Sequence, residues 1–291
     1  MMPGPGAKRA DLHEFNEEVG TLTAAFAARG MSLDARLWDD AAEYAAEYDA
    51  LLPLLVWDYF EGNEARFLST MERASQITPV FNNPATLKWN ADKAYLAELA
   101  ANGAPVIPTV TVSGVMPDDA DRAFARFGTD RLVIKPQVGG GAYRQVLLGR
   151  NDPWPHADDL PLDDALIQPF LPSVQEEGEY TLLFFDGEFS HGLQKLAKSG
   201  DYRIQSQYGD REVPWIPDEE ALRVARDVLG SLPETPLYAR VDLLRGLDGK
   251  LALIELEMIE PYLYLPLAEV GADGLNRGAL MLADALKARL T

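Results

Sequence analysis

The stretch from residue 238 to residue 262, YARVDLLRGLDGKLALIELEMIEPY, is the part of this chain that most constrains its fold. Two apolar runs rich in Val, Ile and Leu flank Asp248-Gly249. An Asp-Gly pair between two such runs is a strong signal for a tight hairpin turn. We therefore predict two antiparallel strands joined at this turn.

The predicted hairpin would carry carboxylates on one face. Because side chains alternate along a strand, Glu255 and Glu257 are expected to share a face. Any register that pairs an even position of the first strand with an odd position of the second adds Asp242 to that face. Three carboxylates this close would hold protons unless a cation neutralised them, and such oxygen ligands suit Mg²⁺ or Mn²⁺.

The alternative is an antiparallel sheet whose second face is simply exposed to water. Strict alternation would place Leu251 and Leu253 on the carboxylate face, which argues against full exposure of that face. It would also make the opposite face wholly apolar, formed by Ala252, Ile254, Leu256 and Met258. The hairpin by itself leaves both interpretations open.

Length and composition are those of a soluble globular protein. A chain of 291 residues is expected to form two or three units, since domains hold about 100 to 200 residues. No apolar run approaches the roughly 18 residues of a membrane span, so we expect no membrane association. The start, MMPGPGAKRA, lacks the apolar core of an export signal, and the chain has no cysteine, which together favour the cytoplasm.

The net charge of the chain limits which partners it can bind. The formal net charge of −20 opposes the phosphate backbone, so we expect no nucleic acid to bind. His13, His156 and His191 are far apart in sequence and do not form a metal-binding pair, so surface or incidental roles are expected for them.

The N-terminal third alternates helical and strand-like patterns, which favours an α/β class. Residues 11–29 have the apolar spacing of a helix, and residues 50–57 read as a buried strand. Trp57, Asp58 and Tyr59 would close that strand, where α/β proteins commonly bind ligands. The alternative for these three residues is aromatic packing with Asp58 as a helix cap.

Two lysines mark candidate phosphate contacts. Asn90 is predicted to cap a helix over residues 91–101, which would place Lys93 in its first turn beside free N–H groups. Lys135 ends a predicted strand just before Gly139, Gly140 and Gly141, whose bare backbone can approach phosphate closely. The alternatives are a solvated lysine and a flexible glycine linker.

A basic cluster follows a second predicted hairpin, which spans residues 179–193. Lys195, Lys198 and Arg203 fall in or beside the polar segment SGDYRIQSQYG, so we interpret this region as a loop that orders over a ligand. Local charge balancing is the alternative.

The order of these features, from about residue 82 to residue 265, resembles the ATP-grasp superfamily and its glutathione-synthetase/RimK-type ligases. The stretches WDYF, NNPATLKWNADKAYL and IELEMIEPYLYLP are similar to the branch that includes the O-ureido-D-serine cyclo-ligase of cycloserine biosynthesis. This resemblance implies an α/β (α+β) ATP-grasp fold in three units. They are an N-terminal α/β domain (1–84), a central subdomain with the glycine lid (85–165) and a C-terminal subdomain with the metal-binding hairpin (166–291).

The resemblance also implies roles for individual residues. Lys93 and Lys135 would hold ATP phosphates under a lid of Gly139, Gly140 and Gly141. The adenine and ribose contacts would be Gln168, Pro169, Phe170, Leu171 and Glu179. The magnesium ligands would be Asp242, Glu255 and Glu257, the last at a position where the superfamily often has Asn. The basic residues near the transferred phosphate would be Arg203 and Lys195, and the substrate contacts Trp57, Asp58, Tyr59 and Tyr262.

The implied reaction is ATP-dependent ligation of a small carboxylate and an amine. It would pass through an acyl phosphate, use Mg²⁺ (or Mn²⁺), with two ions expected, and release ADP and phosphate. Homodimers are common among such ligases, so a homodimer is possible here. The alternatives are a kinase of a small hydroxyl compound and a nucleotide-binding protein that has lost catalysis, the latter because the superfamily's usual opening strand is not recognisable.

Overall fold

The computed structural model describes residues 12–198 and 211–291. The helices of these two segments are α1 (Leu12–Ala28), α2 (Ala41–Tyr44), α3 (Glu64–Ser75), α4 (Pro84–Ala91), α5 (Tyr95–Ala101), α6 (Pro117–Phe127), α7 (Ser173–Glu176), α8 (Glu219–Gly230) and α9 (Arg277–Leu290). Their strands are β1 (Val110–Ser113), β2 (Arg131–Pro136), β3 (Val146–Gly149), β4 (Asp164–Pro169), β5 (Glu179–Phe185), β6 (Glu188–Leu196), β7 (Arg211–Pro214), β8 (Tyr238–Arg245) and β9 (Leu251–Glu257).

The strands form two antiparallel sheets. One sheet has the order β1-β4-β2-β3 and the other the order β7-β6-β5-β8-β9. The predicted hairpin is confirmed as β8 and β9, with Asp242 opposite Glu255 and Arg240 opposite Glu257. Within the described segments, no helix is long and apolar enough to cross a membrane.

A β-bulge corrects the predicted faces of this hairpin. Asp242 pairs with Glu255 but Leu243 pairs with Leu253, so Ile254 is an extra residue in β9. The extra residue reverses the alternation. Leu251 and Leu253 therefore pack in the same core as Leu256 and Met258, while Ala252 and Ile254 pack in another cluster. Leu251 and Leu253 do not share the carboxylate face, so their predicted position was wrong.

The buried strand predicted over residues 50–57 is also wrong. Only Leu51 pairs, in a single parallel bridge to Val80. Pro53 lacks an N–H group and interrupts further pairing. The apolar run instead separates two cores, with Leu51 in the cluster around α3 and Leu54 in the cluster shared by α1 and α9.

Asn90 does not cap a helix, contrary to the prediction. It lies inside α4 and is 7% exposed. Its Nδ2 donates to the carbonyl oxygen of Leu256 (2.8 Å), and its Oδ1 accepts from the backbone N–H of Met258 (2.8 Å). Lys93 therefore lies between α4 and α5 rather than in a first helical turn.

Core packing joins the N-terminal helix to the C-terminal part of the chain. Side chains of α1 and α9 share one apolar cluster with Leu183 and Leu193 of the five-stranded sheet. β4 crosses the expected boundary at residues 165 and 166, since it pairs with β1 and β2. The division into three units remains a prediction.

The buried bonds of Asn90 predict a large loss of stability on substitution. Replacing Asn90 by Ala leaves the N–H of Met258 without that partner, and such a loss costs about 1–3 kcal/mol. Urea unfolding of Asn90→Ala should show this decrease. Asn151→Ala, at an exposed position, should lie within about 0.5 kcal/mol of the unsubstituted protein. If Asn90→Ala and Asn151→Ala were equally stable, the buried hydrogen bonds of Asn90 would not stabilise the fold as predicted.

Candidate active site

A cleft of about 1080 Å³ lies where β2, the loop that follows it, the β8-β9 hairpin and α1 meet. Its charged lining comprises Lys93, Lys135, Glu179, Lys195, Arg240, Asp242, Glu255 and Glu257, together with Glu14, Glu17, Arg211 and Glu212. The cleft thus brings together both predicted phosphate lysines and all three predicted metal ligands.

Strand register explains why these side chains meet. Across β5 and β8, Thr181 lies opposite Asp242, and across β5 and β6, Glu179 lies opposite Lys195. Side chains two residues apart share a face, so four neighbouring strands present one polar surface to the cleft. Lys195 was predicted in a loop, but it lies in β6 and is 5% exposed.

Asp242 is the centre of this polar surface and is 1% exposed. It accepts from Nε (3.0 Å) and Nη2 (2.9 Å) of Arg240 and from Oγ1 of Thr181 (2.6 Å). Nζ of Lys195 lies 3.4 Å from its Oδ1. Burial alone would raise the pKa of Asp242, but Arg240 and Lys195 outweigh it and lower this pKa, so the carboxylate is ionised at neutral pH.

The two glutamates of β9 differ in their cation partners. Glu255 lies 3.1 Å from Nζ of Lys93, and Lys93 and Lys135 lower its pKa against the effect of burial. Glu257 pairs with Arg240, yet burial raises its pKa to about 7. Burial also raises the pKa of Glu179 to about 7, although Nζ of Lys195 is 2.9 Å away. Two carboxyl groups of the cleft therefore titrate near neutral pH.

The glycine-rich loop closes one end of the cleft. We call residues 137–145 the lid. Nζ of Lys93 donates to the carbonyl oxygen of Gly139, and the backbone N–H of Lys93 donates to the carbonyl of Gln137 (3.0 Å). Lys135 has no ion-pair partner within residues 12–198 and 211–291, and burial lowers its pKa. A partly buried cation without a paired carboxylate suits an anionic ligand.

The three predicted metal ligands line one cleft, and each of them pairs with a cation. Among the side chains that the structure describes, no three His, Asp or Glu residues are spaced to hold a metal ion. Lys93 and Arg240 instead bind oxygens of Glu255, Glu257 and Asp242. The donor set of three carboxylates nevertheless fits Mg²⁺, which prefers oxygen ligands.

The predicted adenine contacts lie outside the lining of this cleft. Gln168 is 2% exposed, and its Nε2 donates to Oγ1 of Thr109 (2.8 Å). Phe170 and Leu171 pack in an apolar cluster with Ile107, and the guanidinium of Arg131 lies 3.9 Å from the centre of the Phe170 ring. Their role in binding adenine, with that of Pro169 at the end of β4, stays a prediction.

The predicted substrate residues divide into two groups. Trp57 and Tyr262 line the cleft, with ring centres 6.0 Å apart, and Nε1 of Trp57 donates to the carbonyl of Glu260 (3.0 Å). Asp58 and Tyr59 are buried in the N-terminal core, away from the cleft lining. Asp58 accepts from the indole N–H of Trp38 (2.9 Å) and caps no helix.

Sequence reasoning missed Arg240 and the wall formed by α1. Arg240 could have been found, because it lies two residues before Asp242 and so shares its strand face. His13, Glu14 and Glu17 of α1 gave no such signal, because their approach to the cleft depends on packing between distant segments. Arg203, predicted near the transferred phosphate, lies outside the described residues.

Sequence comparison relates the chain to known proteins. A family described as the N-terminal domain of D-cycloserine synthetase DcsG matches residues 7–82. Over 275 residues the chain is 32% identical to the cycloserine biosynthesis protein DcsG of Streptomyces lavendulae. The aligned region covers 89% of this chain and 90% of that protein.

Two solved structures are similar along almost the whole chain. The crystal structure of D-cycloserine synthetase DcsG matches with a TM-score of 0.79 and 29% identity over 95% of each chain. D-alanine–D-alanine ligase from Bacillus anthracis complexed with ATP matches with a TM-score of 0.67 and 18% identity, over 99% of this chain and 96% of that one. At 18% identity the second likeness shows the fold alone.

The fold and its relatives define an ATP-grasp ligase, an enzyme that couples ligation to ATP. The mixed α/β class and the ATP-grasp architecture predicted from the sequence are confirmed. Within that class, the chain belongs to the DcsG family.

A buried acid on α1 lies behind the cleft. Glu18 is 1% exposed, and its Oε2 accepts from the backbone N–H of Leu263 (3.2 Å). Its Oε1 is buried and has no hydrogen-bond partner in the part of the chain described. Burial raises the pKa of Glu18 from 4.5 to about 8, so this carboxyl is protonated at neutral pH.

This pKa predicts how stability depends on pH. Glu18 keeps its proton in the folded state, whereas in the unfolded chain it loses the proton near pH 4.5. Its contribution to stability is therefore present below that pH and is lost as pH rises toward about 8, by at most about 1.4 kcal/mol per pH unit. Glu18→Gln cannot ionise, so its stability relative to the unsubstituted protein should rise between pH 5 and pH 8.

Unfolding in urea at several pH values measures this difference. Glu43→Gln, at an exposed position of α2, is the control and should track the unsubstituted protein. Parallel pH curves for Glu18→Gln and the unsubstituted protein would show that Glu18 ionises normally in the folded state.

Proposed function

We propose that this protein is an ATP-dependent carboxylate–amine ligase that acts on a small amino-acid-like substrate through an acyl phosphate, releasing ADP and phosphate. The observation that carries the proposal is the meeting of Lys93, Lys135 and Arg240 with the hairpin carboxylates in one cleft. Cations and carboxylates together match the charge of a triphosphate with its divalent ions.

The lysines are proposed to hold the phosphates. Lys135 has no carboxylate partner among the described residues, so an incoming phosphate would meet a cation that is already desolvated. Lys93 lies between the lid and Glu255, so it can contact both the lid and a phosphate below it. Gln168 to Leu171 remain the proposed adenine contacts, and Glu179 the proposed ribose contact.

The carboxylates Asp242, Glu255 and Glu257 are proposed to hold Mg²⁺, with two ions expected. When bound, these ions would offset charge on the phosphates and polarise the transferred group. Lys93 and Arg240 occupy the carboxylate oxygens here. We propose that both side chains turn toward phosphate oxygens when nucleotide and metal bind, which keeps every charge in the cleft paired.

Ligation then needs two displacements. A substrate carboxylate oxygen attacks the γ-phosphorus, the bond to the bridging oxygen breaks, and ADP leaves. An amine nitrogen next attacks the acyl carbon, phosphate leaves, and the amine gives up a proton. Arg240 is placed to stabilise charge on the transferred phosphoryl group, since its guanidinium lies between Asp242 and Glu257.

The far end of the cleft is proposed to select the substrate. Glu14 and Glu17 of α1 line it together with Trp57 and Tyr262. Carboxylates beside aromatic faces suit an ammonium group. The related DcsG proteins are named for cycloserine, which supports a small amino-acid derivative as the substrate.

The proposal predicts ADP release that depends on the hairpin carboxylates. Purified protein with ATP and Mg²⁺ should release ADP when a screen of amino-acid derivatives reaches the substrate. Glu255→Gln removes a proposed metal ligand and should lower this rate by about 100-fold or more. Glu188→Gln, at an exposed position of β6, should leave it unchanged. Full activity in the combined Asp242→Asn and Glu255→Gln variant would overturn the metal assignment.

Hydroxylamine separates the ligase from a kinase of the same fold. An acyl phosphate reacts with hydroxylamine to give a hydroxamate, whereas a phosphate ester does not. ADP release with hydroxamate formation is the expected result. ADP release with a stable phosphorylated product would show a kinase, and ATP binding without ADP release in any substrate mixture would show a protein that has lost catalysis.

A further inference from the structure

The lid meets the N-terminal part of the chain at one close contact. A Cβ atom added to Gly140 would lie 3.0 Å from Cζ and 3.1 Å from Cε1 of Phe60. These distances are tighter than ordinary van der Waals contact, so the edge of the Phe60 ring occupies the space that any side chain at position 140 would need. Gly140 is thus packed directly against an aromatic ring.

The three lid glycines are needed for different reasons. Gly139 and Gly141 have φ angles of 152° and 61°, which side chains disfavour. Gly140 is absent from the residues with positive φ, so its backbone would accept alanine. The three atoms nearest to a Cβ at position 140 all belong to the Phe60 ring, which makes this glycine a specific partner of Phe60.

Phe60 is held firmly from behind. Its ring packs against the apolar cluster of the N-terminal region and contacts the ring of Tyr59, with centres 5.4 Å apart and an edge-to-face arrangement. Tyr59 is 6% exposed and packs in turn against Phe67 of α3. The ring of Phe60 is therefore a fixed surface onto which the lid can settle.

The lid itself needs such a surface. Ala142 and Arg144 adopt left-handed φ angles of 57° and 51°, which are unfavourable for residues with a side chain. On the side of the cleft, Nζ of Lys93 bonds to the carbonyl of Gly139. Contacts from two directions thus hold a backbone conformation that the lid would not adopt by itself.

We propose that Phe60 is a positioning residue that seats Gly140 and so holds the lid closed over the cleft. Phe60 touches no reacting group and acts through the lid. Its effect on turnover rests on the proposed ligase function, in which a closed lid keeps water from the acyl phosphate. Loss of the contact lets water reach that intermediate, so ATP is consumed without ligation.

A pair of substitutions tests the contact in the protein without ligand. Phe60→Leu keeps an apolar side chain in the N-terminal cluster but removes the ring edge beside Gly140. Hydrogen exchange at the amides of Tyr143 and Gln145, which bond to Gly140 and Ala142 inside the lid, should become at least about fivefold faster. Gly140→Ala should have a similar effect because its methyl group pushes the lid away from the ring. Unchanged exchange in both variants would overturn the proposal.

The double variant gives the sharper result. If the alanine methyl clashes only with the ring, Gly140→Ala added to Phe60→Leu should change exchange by less than about twofold. Independent, additive effects of the two substitutions would show that Phe60 does not seat Gly140. Gly230→Ala at the end of α8, where a Cβ meets no atom within 4 Å, is the matched control and should leave lid exchange unchanged.

Turnover measurements then separate the two proposals. With a substrate that supports ligation, Phe60→Leu should raise the ratio of ADP to ligated product by about threefold or more, with little change in unfolding by urea. Faster lid exchange without a change in this ratio would overturn the link to water exclusion. If no substrate supports ADP release, the ligase function fails, and the exchange experiment still decides whether Phe60 seats the lid.

Discussion

The buried contact of Asp242 with Arg240 is the interaction on which the cleft depends. A carboxylate that is 1% exposed is strongly disfavoured without cations nearby, and Arg240 and Lys195 supply them. Arg240 in turn reaches Glu257, and Lys195 reaches Glu179, so removing one charge leaves its neighbours uncompensated. This network joins side chains of four paired strands at the surface of the cleft. In the proposed function, phosphates and divalent ions would replace some of these partners.

The bulge at Ile254 makes that network compatible with a packed core. Without it, the alternation along β9 would put Leu251 and Leu253 beside Glu255, where they would crowd the charged face. With one extra residue, both leucines enter the core beneath the sheet, and the two glutamates of β9 face the cleft. A local irregularity in one strand thus separates the chemistry of the site from the packing that supports it.

The sequence predicted the features that depend on neighbouring residues. The hairpin turn at Asp248-Gly249 could be predicted because its signal lies within a few residues of sequence. Asn90 looked like a cap, but its partners lie more than 160 residues away, in β9 and directly after it. Lys195 looked like a loop residue for the same reason, since its carboxylate partners come from other strands. The strand predicted over residues 50–57 was wrong because an apolar run does not show whether two cores share its residues.

The two halves of the cleft are built from different kinds of backbone structure. One half is formed by antiparallel strands, whose hydrogen bonds fix the positions of residues such as Asp242 and Lys135. The other half is formed by α1 and by turns between residues 52 and 63, which are held by packing rather than by a ladder. Packing tolerates changes in shape better than strand register does. Under the proposed function, substrate choice and control of the lid would fall to this second half, where Trp57 lines the cleft and Phe60 meets Gly140.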